Sequence, residues 1–82
     1  MNTPRSFGHW LKQQRRARGL TQREFGQRVY CAEITIRKIE ADDLRPSKQL
    51  AHAFLQALDA PRAEQAELIN LARRNHGAKA TQ

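Results

Sequence analysis

Leu20 to Glu40, LTQREFGQRVYCAEITIRKIE, is the stretch whose reading decides the fold. Thr21-Gln22-Arg23-Glu24 has the spacing of a capping box, in which the threonine hydroxyl and the glutamate carboxylate satisfy free backbone amides at a helix start. Leu20 before the cap and Phe25 at the fourth helical position add the spacing of a hydrophobic staple. The helix is predicted from Gln22 to about Val29, with Phe25 and Val29 inward. Gly26 inside it costs about 0.5–1 kcal/mol relative to alanine, which predicts that another backbone or a bulky side chain passes close. Tyr30 and Cys31 make a tight turn into a next helix covering roughly Ala32 to Ala41. At about 100° per residue, Ala32, Ile36 and Ile39 share one face, and Ile34, Arg37, Lys38 and Ala41 share the opposite one.

Outward from this pair the signals stay helical. Ser6 can cap a first helix from Phe7 to about Arg18, stopped by Gly19. Phe7, Leu11 and Ala17 form its inward stripe, with Trp10 beside it, while Lys12, Arg16 and Arg18 lie toward water. Asp42 to Ser47 is a loop, and Ser47 caps a fourth helix from about Lys48 to Leu58. Leu50, Phe54 and Leu58 recur every four residues along it, with Ala51 and Leu55 alongside. Asp59-Ala60-Pro61 breaks that helix, and Pro61 is suited to the first turn of a fifth helix reaching about Arg73. Leu68, Leu71 and Ala72 are expected to close the core, with Ile69 partly outside. The expected organisation is one all-α domain over residues 6–74, followed at 75–82 by a small, polar, disordered tail or linker.

Composition bounds the function. The 82 residues carry 15 Lys and Arg against 8 Asp and Glu, a net charge of +7 that favours a polyanionic partner such as nucleic acid. The excess is lopsided, since residues 1–48 have a net charge of +6 and residues 49–82 only +1. A lone cysteine, Cys31, rules out an intramolecular disulfide and fits a reducing cytosol. There is no apolar run of membrane-spanning length, and MNTPRSFG lacks the hydrophobic core of a signal peptide, so a soluble cytoplasmic protein without a membrane partner is expected. His9, His52 and His76 are scattered and Cys31 stands alone, which gives neither a metal site nor a nucleophile the spacing it needs. No enzyme activity, metal or cofactor is expected.

From Phe7 to about Arg73 the chain resembles the helix-turn-helix domain of the phage-repressor or Xre type. The residues that carry the likeness are Gly19-Leu20-Thr21-Gln22, the apolar positions Phe25, Val29, Cys31, Ile36 and Ile39, the closing Ile39-Glu40, the Arg45-Pro46-Ser47 loop, and the Leu- and Ala-rich helix after it. The resemblance implies five helices, the second crossing the DNA backbone and the third lying in the major groove. It also implies an ion pair between Arg15 and Glu40, tying the first helix to the end of the third. Two residues depart from the family pattern: Gly26 replaces the usual alanine and Tyr30 the usual glycine of the turn. A left-handed Tyr30 would carry about 1–2 kcal/mol of strain, and the alternative is a turn of different shape.

Base reading then falls to Glu33, Ile34, Thr35, Arg37 and Lys38. Arg37 and Lys38 suit guanine O6 and N7, Glu33 can accept from the cytosine amino group or serve the helix dipole, and Ile34 suits a thymine methyl. Phosphate contacts fall to Gln22, which matches the family's phosphate-binding glutamine, to Arg23 beside it, and to Arg45, Ser47 and Lys48 around the start of the fourth helix. Arg16, Arg18 and Arg28 supply general electrostatics.

The function implied is sequence-specific binding of double-stranded DNA by a transcriptional regulator on a palindromic or repeated site. One such module buries little area, so a homodimer is expected, joined through the fifth helix and Ile69 or through a region outside this chain. FGHWLKQQRR with IRKIEADDLRPS is similar to N-terminal modules of larger bacterial regulators, which allows a downstream domain or protein partner; a standalone repressor or an antitoxin of the same fold is equally permitted. The rival is a protein-interaction module that keeps the fold without reading DNA, motivated by acidic Glu33, Asp42 and Asp43 near the binding face.

Overall fold

The computed structural model describes residues 4–74. They form five helices, α1 (Phe7–Ala17), α2 (Gln22–Arg28), α3 (Glu33–Glu40), α4 (Lys48–Ala57) and α5 (Arg62–Arg74), and no strand. The fold class is all-α with a helix-turn-helix. Each helix lies within a residue or two of its predicted span. Pro61 sits just before α5 rather than inside it, and its carbonyl accepts from the Glu64 amide at 2.8 Å.

Helix starts follow the side chains that cap them. Ser6 is extended and its Oγ accepts from the His9 amide at 3.0 Å, while Ser47 does the same for Leu50 at 3.0 Å. At α2 both halves of the capping box are made: Thr21 Oγ1 accepts from the Glu24 amide at 3.0 Å and Glu24 Oε1 from the Thr21 amide at 2.9 Å. α3 begins otherwise, because its cap residue, Ala32, has no side-chain acceptor.

Helices α1 to α4 all stop by the same device. The residue after the C-cap is left-handed in each case: Gly19 at φ 69°, Tyr30 at 57°, Asp42 at 63° and Asp59 at 53°. The amide one residue further on bonds back across the turn, Leu20 to Arg15 at 3.2 Å, Cys31 to Gly26 at 2.8 Å, Asp43 to Lys38 at 2.8 Å and Ala60 to Leu55 at 2.9 Å. This is the Schellman arrangement, which satisfies the last carbonyls of a helix. The turn before α3 therefore keeps its left-handed residue with tyrosine in place of glycine.

α2 packs on α3, α4 on α5, and α1 on both α3 and α5. Phe54 joins the two halves, its ring centroid 6.2 Å from that of Phe7 and 5.4 Å from that of Phe25, with Leu11, Ile36, Ile39, Leu55 and Leu58 filling the space around them. Two expectations are corrected here. Ala17 is exposed, and the inward place near the end of α1 goes to Arg15. Ile69 is 6% exposed and belongs to the core beside Leu68 and Ala72, because the inner face of α5 is wide enough to take both Leu68 and Ile69. The tail assigned to residues 75–82 lies outside the described residues.

Candidate nucleic-acid interface

The α2–α3 pair is shaped by a missing methyl group. A Cβ added at Gly26 would stand 2.5 Å from the Cys31 carbonyl oxygen and 3.5 Å from Ile36 Cγ1. The crowding expected at this glycine is real, and it comes from the backbone leaving the turn. With Gly26 and Phe25 beneath it, α3 turns Ile36 and Ile39 fully inward. Its opposite face then carries Glu33, Ile34, Arg37 and Lys38, all exposed. Ile34 is 45% exposed, which leaves an apolar side chain on the outer face among the charged ones. Thr35 differs from the others: it is half-buried. Burial raises the Cys31 pKa, with smaller opposing effects from Thr35 and the Ala32 backbone, so the thiol stays protonated at neutral pH.

The C-terminal end of α3 is anchored by charge. Arg15 Nε donates to Glu40 Oε2 at 2.6 Å and Arg15 Nη2 to Glu40 Oε1 at 3.0 Å, a bidentate pair with both side chains less than one-tenth exposed. Nη1 of the same guanidinium donates to the Leu20 carbonyl at 2.7 Å, so α1, the α1–α2 connection and α3 meet on one arginine. The hydrogen bond and charge of Glu40 raise the Arg15 pKa against the opposing effect of burial. Gln22 joins this cluster, its Nε2 donating to Glu40 Oε1 at 3.0 Å.

The residues assigned to phosphate contact fall into two groups. Arg23 and Lys48 are exposed, and Gln22 is half-buried with its amide on Glu40. Ser47 is occupied as the cap of α4, and Arg45 is drawn to the end of α5, where Nη1 donates to the Arg73 carbonyl at 2.8 Å. Arg73 returns a bond to the Pro46 carbonyl at 3.2 Å. Among the general cations, Arg18 is used structurally, donating to the Leu58 carbonyl and to Gln14.

Sequence reasoning passed over Gly8. A Cβ there would lie 2.4 Å from the Ile39 carbonyl oxygen, 2.7 Å from that of Glu40 and 2.6 Å from Asp42 Oδ1, so α1 touches the end of α3 backbone to backbone. The Gly8 amide donates to Asp42 Oδ1 at 3.2 Å, which sets a carboxylate at the positive end of α1. The signal was present, a glycine inside an amphipathic helix, as at Gly26.

These elements define a five-helix domain in which the third helix, with Arg37 and Lys38 on its exposed face, packs from behind on α1 and α2. A family described as helix-turn-helix domain matches residues 6–68. The chain belongs to this family of Xre-like helix-turn-helix domains. No curated protein and no solved structure matches the chain. Membership points to DNA binding, and the family is typically non-enzymatic. Among the described residues no group of His, Cys, Asp and Glu is arranged to hold a metal ion, and no helix is long and apolar enough to cross a membrane.

Proposed function

We propose that the domain binds double-stranded DNA sequence-specifically as a transcriptional regulator, with α3 in the major groove. The observation that carries this reading is the outer face of α3: Glu33, Ile34, Arg37 and Lys38 are all exposed on a helix that buries Ile36, Ile39 and Glu40. Cations alone would serve any polyanion, but an isoleucine and a glutamate interleaved with them match the mixed donors, acceptors and methyl groups of base edges. Arg37 and Lys38 read guanine, Ile34 meets a thymine methyl, and Glu33 accepts from cytosine. Thr35, half-buried beside Cys31, has a smaller part. Arg23, Lys48 and the Gln22 amide hold phosphates and set the register. Arg45 and Ser47 act chiefly by holding the loop and the start of α4, and Arg45 reaches a phosphate only by leaving the Arg73 carbonyl.

The protein-interaction reading loses one of its motives, because Asp42 is used inside the fold by Gly8. With Ile69 in the core, a second copy must be joined by some other surface. Selection from a random duplex pool tests the proposal, since an enriched motif is expected and its half-site spacing reports a dimer. With the enriched duplex, alanine at Arg37 and Lys38 should flatten sequence preference, while Lys48→Ala should weaken all duplexes alike and lower the salt slope by about one. Absence of enrichment, or equal behaviour of the two kinds of variant, contradicts these roles.

A further inference from the structure

Glu40 does more than neutralise Arg15. Its Oε1 takes two donors, Arg15 Nη2 and Gln22 Nε2, both at 3.0 Å, and its Oε2 takes Arg15 Nε. A carboxylate only accepts, so it fixes which way the Gln22 amide faces: nitrogen toward Glu40, since the carbonyl oxygen would meet negative charge. The amide nitrogen carries a second N–H. Gln22 is the first residue of α2 and half-buried, so this remaining donor is held at the edge of the domain.

We infer that Glu40, the last residue of α3, is a positioning residue for the backbone contact made by α2: it orients Gln22 so that one N–H is spent inside and the other is presented to a phosphate oxygen. The helix that reads bases and the side chain that grips the backbone thereby share one carboxylate, and a displacement of α3 would turn the Gln22 donor as well. Arg15 holds the carboxylate in place through its bidentate bond. This inference rests on the DNA-binding reading above.

The test is a double-mutant cycle on duplex affinity with Gln22→Ala, Glu40→Gln and the double variant, under conditions where circular dichroism finds each folded. Gln22→Ala is expected to weaken binding about tenfold or more, the effect of losing a hydrogen bond to a charged group. Glu40→Gln should weaken it to a similar degree alone and add little in the Gln22→Ala background. Losses that simply multiply would overturn the inference, because a general structural role for Glu40 would act whether or not Gln22 is present. Should Glu40→Gln fail to fold, the wild-type protein still decides: the side-chain NH2 protons of Gln22 in the free, nitrogen-15-labelled protein should exchange slowly with water. A freely rotating, fast-exchanging Gln22 amide overturns the inference. Failure of the wild-type chain to bind any duplex removes the DNA reading instead, and a held amide in the free protein tells that failure from this one.

Discussion

The two ends of α3 are fixed in opposite ways. At its C-terminal end the helix is held by a buried bidentate ion pair, a glutamine bridge, and the backbone of α1 lying against the Ile39 and Glu40 carbonyls. At its N-terminal end it has no side-chain cap and is entered through a 96% exposed tyrosine in a left-handed conformation. The difference teaches where the orientation of the helix originates. One end is clamped by tertiary contacts; the other is aimed by a local turn whose shape is kept although its residue is unsuited to it. The turn holds because the Cys31–Gly26 bond and the close approach of the Cys31 carbonyl over Gly26 leave it no alternative.

Breaking the clamp should have the largest effect. Glu40→Ala leaves the Arg15 guanidinium buried without its partner and should destabilise the fold by about 3–5 kcal/mol, read by urea denaturation. The raised pKa of Arg15 makes the clamp insensitive to pH on the arginine side: its contribution is fully present below the unfolded arginine value and is lost only above it.

The glycines come next. At Gly8 an added methyl group meets two backbone oxygens and a carboxylate, against one backbone oxygen at Gly26. Gly8→Ala should therefore cost about 3 kcal/mol and Gly26→Ala about 1–2 kcal/mol, within the range of overpacked sites. An unchanged or raised melting temperature for either would show that the helices can separate without penalty.

At the other end of α3 the sign reverses. Tyr30→Gly removes a left-handed side chain and should gain about 1 kcal/mol, less whatever the freer unfolded chain recovers. Ala32→Ser supplies the missing cap and should gain about 0.5–1 kcal/mol. A stability loss at both sites would mean that the turn, too, is held by contacts of its side chains. The smallest effect concerns Cys31. Its raised pKa favours the neutral thiol in the folded state, so stability should fall as the pH rises past the ordinary thiol range, and Cys31→Ser should remove that part of the decline.

Local chemistry made most of the fold legible. Ser6, Thr21 with Glu24, and Ser47 are acceptors within a few residues of the amides they cap, so the helix starts follow from the chain alone. Gly26 was legible as a close approach, though not which atom approached. The face of α3 followed from its periodicity, and the Arg15–Glu40 contact from resemblance rather than from spacing. What escaped depends on partners distant in sequence: Gly8 against residues 39–42, Gln22 on Glu40, and Arg45 with Arg73. Nothing in the pattern of one helix says which backbone will cross it. Ile69 was misjudged for the same reason, since the width of a buried face is set by the neighbour it meets.

The most direct test is a titration of the wild-type domain with a selected duplex and a random-sequence duplex at several salt concentrations. Affinity for both should fall steeply as salt rises, through counterion release from phosphates, while the selected duplex remains preferred throughout. Binding that is absent, insensitive to salt, or equal for the two duplexes would contradict a base-reading α3.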